Sequence, residues 1–133
     1  MGHMTLPYRP RVLFVDDDDK LRRAMARALV QTFDITQVAD GLEAIALLKT
    51  TTYDAIVTDL SMPKIGGDAL VLWLELNQPQ VVRRVVVLSG GSSDPTQAAW
   101  LRAFDQDRVL SKRCGVGELV RAIGAAIDAG DLP

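Results

Sequence analysis

Carboxylates that end two apolar runs are the residues most able to do chemistry here. Val12-Leu13-Phe14-Val15 runs straight into Asp16-Asp17-Asp18-Asp19, and Ala55-Ile56-Val57-Thr58 runs into Asp59. Two strands ending in acid can bring Asp16, Asp17 and Asp59 to one point, where they repel one another unless a cation is present. Mg²⁺ fits, because it takes oxygen ligands at roughly 2.0–2.1 Å and keeps several waters. A carboxylate in such a site can also act as a nucleophile and form an aspartyl phosphate. A merely structural acidic cluster is the alternative. Helix capping and macrodipole complementarity account for Asp18 and Asp19, and less well for Asp16 and Asp17, which precede the cap.

Two further residues end strand-like runs. Ser89 follows Val85-Val86-Val87-Leu88, and Lys112 follows Val109-Leu110-Ser111. A hydroxyl and an ammonium at neighbouring strand ends can both bind phosphoryl oxygens. Alone, Ser89 before Gly90-Gly91 reads as a turn residue and Lys112 as a solvated cation. Beside the acids they form a constellation.

The elements that must position these groups alternate. Strands are expected at 12–15, 35–38, 55–58, 85–88 and 109–110. Continuous apolar runs suit strands buried on both faces of a parallel sheet. In the first helix Leu21, Ala24, Met25, Ala28, Leu29 and Thr32 share a face. Asp40 and Glu43 have capping-box spacing for the second. The third is expected over 68–76, after Met62-Pro63 blocks an earlier start. Ser93-Asp94-Pro95 opens the fourth with a cap and a proline. Leu119, Ala122, Ile123, Ala126 and Ile127 form one face of the fifth, which Gly130 can close. Five βα units predict an α/β fold with helices on both faces of a parallel sheet, and sites in such folds form at the carboxyl ends of the strands.

Composition narrows the function classes. A chain of 133 residues with 48% hydrophobic and 24% charged residues suits a single domain with an ordinary core. A net charge of −2 without a Lys/Arg run gives no electrostatic support for direct nucleic-acid binding. One cysteine, Cys114, excludes an intramolecular disulfide framework and reads as a structural thiol. No signal-peptide pattern and no long apolar stretch predict a cytoplasmic protein without a membrane segment. Met1-Gly2-His3-Met4 reads as an expression-tag remnant, which sets His3 aside and leaves one domain over 5–133. Trp73 and Trp100 lie in helical patterns, Trp73 as a core residue. Arg83-Arg84 reads as the solvated start of a strand.

The whole pattern resembles the receiver domain of two-component response regulators. Asp16 and Asp17 match that family's metal-binding pair, and Asp59 in Asp-Leu-Ser-Met-Pro matches its phosphoacceptor. Ser89 matches the Ser/Thr switch and Lys112 the family lysine, thirty and fifty-three residues after Asp59. Gly67 matches the glycine of the loop that follows the acceptor. The resemblance implies a flavodoxin-like fold, a five-stranded parallel sheet of order 2-1-3-4-5 wound by five helices. It implies Mg²⁺ held by Asp16, Asp17, Asp59 and the backbone carbonyl of Ser61, with phosphoryl transfer to Asp59 from a sensor histidine kinase or histidine phosphotransfer protein. Lys112 would stabilise charge, and a downstream protein would read the surface of the fourth helix, fifth strand and fifth helix. The implied protein is a monomer or weak homodimer, and a phosphoacceptor rather than a turnover enzyme. It is either a stand-alone regulator or a receiver from a hybrid kinase or multidomain regulator.

Two positions depart from the family. Val109 stands where an aromatic or histidine is usual, so the coupling of Ser89 to a swinging ring is in question. Arg113 follows the lysine where proline is usual. A cis peptide bond there would cost about 2.5–4 kcal/mol without proline, which predicts a trans Lys112-Arg113 bond or a strained loop. Together the two positions predict an atypical output surface, an expectation that an aromatic from elsewhere, such as Phe104, filling the switch pocket would undo. These departures support a second reading, a phosphorylation-independent interaction module. A third, an aspartyl-phosphate hydrolase of the haloacid-dehalogenase type, requires a second Asp where this chain has Ser61.

Overall fold

The computed structural model describes residues 8–91 and 94–131. Five parallel strands, β1 (Arg11–Val15), β2 (Asp34–Val38), β3 (Ala55–Asp59), β4 (Val85–Ser89) and β5 (Val109–Ser111), form one sheet of order 2-1-3-4-5. They alternate with α1 (Asp19–Leu29), α2 (Gly41–Leu48), α3 (Gly67–Asn77), α4 (Pro95–Ala103) and α5 (Val116–Gly130). Short 3₁₀ turns, Pro79–Arg84 and Gln106–Arg108, lead into β4 and β5.

The apolar runs are continuous because the sheet has two covered faces, and successive residues feed opposite ones. Leu13, Val15, Ile56, Val85 and Val87 pack with Ala44 and Leu48 of α2 and Leu70, Val71 and Leu74 of α3. Val12, Phe14, Ala55, Val57, Val86 and Leu88 pack with Leu29 of α1 and Leu119, Ile123 and Ala126 of α5. Each such Val, Leu, Ile or Phe contributes about 1.5–3 kcal/mol of burial, which fixes the strands and hence the ends that carry the acids.

Caps fall where the sequence places them. Asp18 accepts from the Leu21 N–H, Asp40 from that of Glu43 and Asp94 from that of Thr96. Ser93 lies outside the described residues.

Three expectations need correction. The buried stripe of α1 is Arg22, Ala26 and Leu29, whereas Ala24, Ala28 and Thr32 are exposed. The face is rotated because the Arg22 stem is buried and its guanidinium is satisfied, by the Asp16 carbonyl at 2.7 Å, Asp19 Oδ1 at 2.7 Å and Gln37 Oε1 at 3.2 Å. Gly130 does not close α5, which runs through it to Asp131. Glycine leaves room there for another residue: a Cβ would lie 2.4 Å from Arg84 Nε, and the arginine would have to shift. Arg84 is not solvated like its exposed neighbour Arg83. It donates to the carbonyls of Tyr53 at 3.1 Å and Gly130 at 3.3 Å, tying the start of β4 to the end of α5. Trp73 is half-buried against the α2–α3 core, as expected.

Candidate functional site

The last residues of β1 and β3 reach the carboxyl edge of the sheet still buried. Asp16 is 0% exposed and Asp59 2%. Asp16 continues the β1–β2 ladder through its N–H to the Val38 carbonyl, and its Oδ1 accepts from the Asp18 N–H at 2.9 Å. That turn leaves Asp17 exposed and starts α1. Arg22 holds the Asp16 carbonyl from one turn further along. Asp59 Oδ1 accepts from the Ser61 N–H at 3.3 Å, and the Leu60 N–H continues the ladder to the Leu88 carbonyl. A Cβ on Gly67 would lie 2.6 Å from the Asp59 carbonyl, so only glycine lets the first turn of α3 close over that strand end.

β4 and β5 finish at the same edge, with Ser89 opposite Ser111. The Lys112 N–H donates to the Ser89 carbonyl at 3.1 Å, which carries Lys112 one residue past β5 and over the acids. Its Nζ lies 2.8 Å from Asp59 Oδ2 and 3.5 Å from Asp16 Oδ1. Ser89 is half-buried, and its Oγ accepts from the Gly91 N–H at 3.2 Å.

The electrostatics follow from one ammonium serving two buried carboxylates. Burial first, and the neighbouring Asp16 charge with it, raise the Asp59 carboxyl from 3.8 to about 6 against the opposing pull of Lys112 and the Ser61 N–H. Burial alone would lower Lys112, but its hydrogen bond and charge pairing with Asp59, then with Asp16, leave it above its ordinary value.

The residues fit a divalent cation. Asp16, Asp17 and Asp59 offer carboxylate oxygens within 4.8 Å of one another. Asp16 Oδ2 is buried and has no hydrogen-bond partner among the described residues. A buried acceptor left without a donor is costly, and an oxygen-seeking cation would satisfy it. The expected site residues Asp16, Asp17, Asp59 and Lys112 are therefore brought together, and Ser89 and Ser61 stand beside them at the same edge. Sequence reasoning missed Arg22, whose charge pattern alone reads as a solvated face.

At the departing positions, Lys112-Arg113 is trans, since no cis peptide bond occurs among the described residues. Arg113 N–H donates to Ser111 Oγ at 3.0 Å and Cys114 N–H to the Ser111 carbonyl at 2.9 Å, closing an ordinary turn. Val109 pairs in register with Val87 and is half-buried. Phe104 is half-buried against the core on the α2–α3 side, stacked on Trp100 with ring centroids 4.9 Å apart. Arg108 lies over its ring at 4.6 Å.

Comparison with known proteins agrees with the fold. The model of the response regulator receiver domain matches residues 12–124. The transcriptional regulatory protein PrrA of Mycobacterium leprae is 36% identical over 119 residues, which are 89% of this chain and 50% of PrrA. The chain thus spans about half the length of that relative. Among solved structures, a Francisella response regulator receiver domain superposes with a TM-score of 0.73 at 29% identity, covering 90% of this chain and 98% of that one. The receiver domain of a signal transduction histidine kinase from Syntrophus aciditrophicus gives 0.77 at 25%, covering 93% and 94%. With 113 residues matched by the family model, the chain belongs to the response regulator receiver domains of two-component signal transduction.

Proposed function

We propose that this domain accepts a phosphoryl group on Asp59 from the phosphohistidine of a sensor kinase or phosphotransfer protein, and passes the signal through a protein-interaction surface. One observation carries the reading. Asp59 lies nearly buried in a carboxylate cluster whose orphaned Asp16 Oδ2 a cation would satisfy, with Lys112 Nζ held 2.8 Å away.

Asp16, Asp17, Asp59 and the Ser61 carbonyl would hold Mg²⁺. Once bound, the ion would supply positive charge between the carboxylates and the incoming phosphoryl oxygens. The protein's own groups do the rest. An Asp59 oxygen attacks phosphorus; the O–P bond forms as the N–P bond of the donor breaks, and the departing imidazole takes a proton from solvent. Lys112 faces the charge on the phosphoryl oxygens. Ser89, whose Oγ accepts from the Gly91 N–H, has its own proton to donate to one of them. Such transfer is mostly positioning and electrostatics. It consumes one acceptor per event, so the domain is a phosphoacceptor rather than a turnover enzyme.

The output surface belongs to the same reading: the face of α4, β5 and α5, acting in the cytoplasm on a downstream protein. Intact mass after incubation with acetyl phosphate tests the acceptor. A Mg²⁺-dependent gain of one phosphoryl group, absent in Asp59→Asn, is expected. The second reading, a phosphorylation-independent module, rests on Val109 and Arg113. No mass gain with either acetyl phosphate or a phosphohistidine donor, in protein that binds Mg²⁺, would favour it.

A further inference from the structure

We propose that Gln97 is a positioning residue for the loop after Asp59, and that through it α4 sets how tightly the acid site holds Mg²⁺. The proposal rests on the phosphoacceptor reading of that site.

Gln97 lies in the first turn of α4, far in sequence from the loop it grips. Its Nε2 donates to the Leu60 carbonyl at 3.2 Å and to Asp68 Oδ1 at 3.3 Å, and its Oε1 accepts from Ser61 Oγ at 3.0 Å. The amide orientation follows from the partners. Reversing it would aim an oxygen at a carbonyl and a carboxylate, neither of which can donate. One side chain therefore ties the residue after the acceptor, the residue whose carbonyl is the expected ligand, and the first turn of α3.

The backbone is shaped around this clasp. The Leu60 carbonyl also accepts from the Gly67 N–H at 2.8 Å, so both its lone pairs are used. At Gly66 a Cβ would lie 2.6 Å from that carbonyl, 2.8 Å from Asp68 Oδ1 and 2.9 Å from Gln97 Nε2. Any side chain at 66 would occupy the space where the three partners meet. Elsewhere in the loop Met62 and Ile65 pack against the core, and the Ile65 N–H donates to the Pro63 carbonyl at 2.8 Å. Ser61, Pro63 and Lys64 are exposed, and the chain turns at Lys64 with a φ of 68°.

Ser61 is thus held from two sides, by Asp59 through its N–H and by Gln97 through its hydroxyl. A cation drawing on the Ser61 carbonyl favours the clasped loop, and by reciprocity the clasp favours the cation. The coupling also runs to α4, giving the acid site a route to that helix that needs no aromatic residue at Val109.

The test titrates Mg²⁺ alone into wild type, Gln97→Leu, Ser61→Ala and the double variant. Melting temperature is followed in each, and amide exchange at Gly67 in the metal-free proteins. Gln97→Leu is expected to bind Mg²⁺ roughly fivefold more weakly, about the effect of one lost hydrogen bond. Its Gly67 amide should exchange faster. The double variant should match Gln97→Leu, because both substitutions break the same clasp. Gln97→Asn, which keeps the amide one methylene short, should weaken binding in the same direction and serves if Gln97→Leu does not fold. Arg102→Ala, exposed on α4, should change neither readout. Wild-type Mg²⁺ affinity in a folded Gln97→Leu, or effects that simply add, would overturn the positioning role alone. Wild type that binds no Mg²⁺ would overturn the phosphoacceptor reading and the positioning role together.

Discussion

Two neighbouring regions of the carboxyl edge of the sheet are built in different ways. At the ends of β1 and β3, every strand residue from Val12 to Val15 and from Ala55 to Val57 is fully buried, and the acids emerge from that rigid base. Charge is concentrated there and incompletely satisfied. At α4 and β5 no residue is fully buried, and the strand is three residues long. Contacts there are made by half-buried side chains, with a Trp100–Phe104 stack capped by Arg108, whose guanidinium also donates to the Val82 and Val85 carbonyls. Chemistry needs groups held within fractions of an ångström, whereas a surface that changes partner needs weaker packing that can be exchanged. The two sit one strand apart and are bridged by Lys112 on one side and Gln97 on the other.

The sharpest way to break this contrast is to change the acid end. Asp59→Asn should abolish phosphoryl gain, and Lys112→Ala should slow it by about 10²–10³-fold, as for loss of a group facing transition-state charge; both are read as intact mass against time. Next comes the base beneath it. Ile56→Ala should lower the unfolding free energy by ~2–5 kcal/mol in denaturant titration, since the residue is fully buried. Trp100→Ala, on the half-exposed helix, should cost less, with ~0.5–1.5 kcal/mol of it from the ring stack.

A subtler difference lies in pH. The folded Asp59 carboxyl titrates near 6 against 3.8 for its ordinary value, so between those values the folded protein binds the extra proton. Stability of the metal-free protein should therefore fall as pH rises through that window, by at most ~3 kcal/mol. The wild-type curve minus that of Asp59→Asn isolates the effect. Mg²⁺ competes with the same proton, so its affinity should rise over the same range. The smallest expected effect is at the proposed output surface. Phe104→Ala should leave the rate of phosphoryl gain within about twofold, since a partly exposed ring outside the acid cluster contributes packing rather than charge.

The parts legible in the sequence are those where one physical demand acts alone. Val12 to Val15 and Ala55 to Val57 read as buried strands because both faces are covered, and Asp40 and Asp94 read as caps because their partners lie two to three residues away. Asp16, Asp59 and Lys112 could be grouped because strand ends in this topology share an edge. Residues serving two demands were misread. Arg22 buries its stem while its charge braces the Asp16 carbonyl, so a hydropathy pattern assigns it to the wrong face of α1. Arg84 and Gln97 act through partners tens of residues away, and Gly66 is glycine because a Cβ there would meet the Leu60 carbonyl that Gln97 grips. No local pattern carries that information.

The most direct test of the central claim locates the phosphoryl group itself. Borohydride reduces an aspartyl phosphate to homoserine, which peptide mapping places at a single position. After exposure to a phosphohistidine donor with Mg²⁺, the account predicts reduction at Asp59 alone, and none when Mg²⁺ is chelated. Reduction at Asp16 or Asp17, or none in protein that binds Mg²⁺, would contradict it.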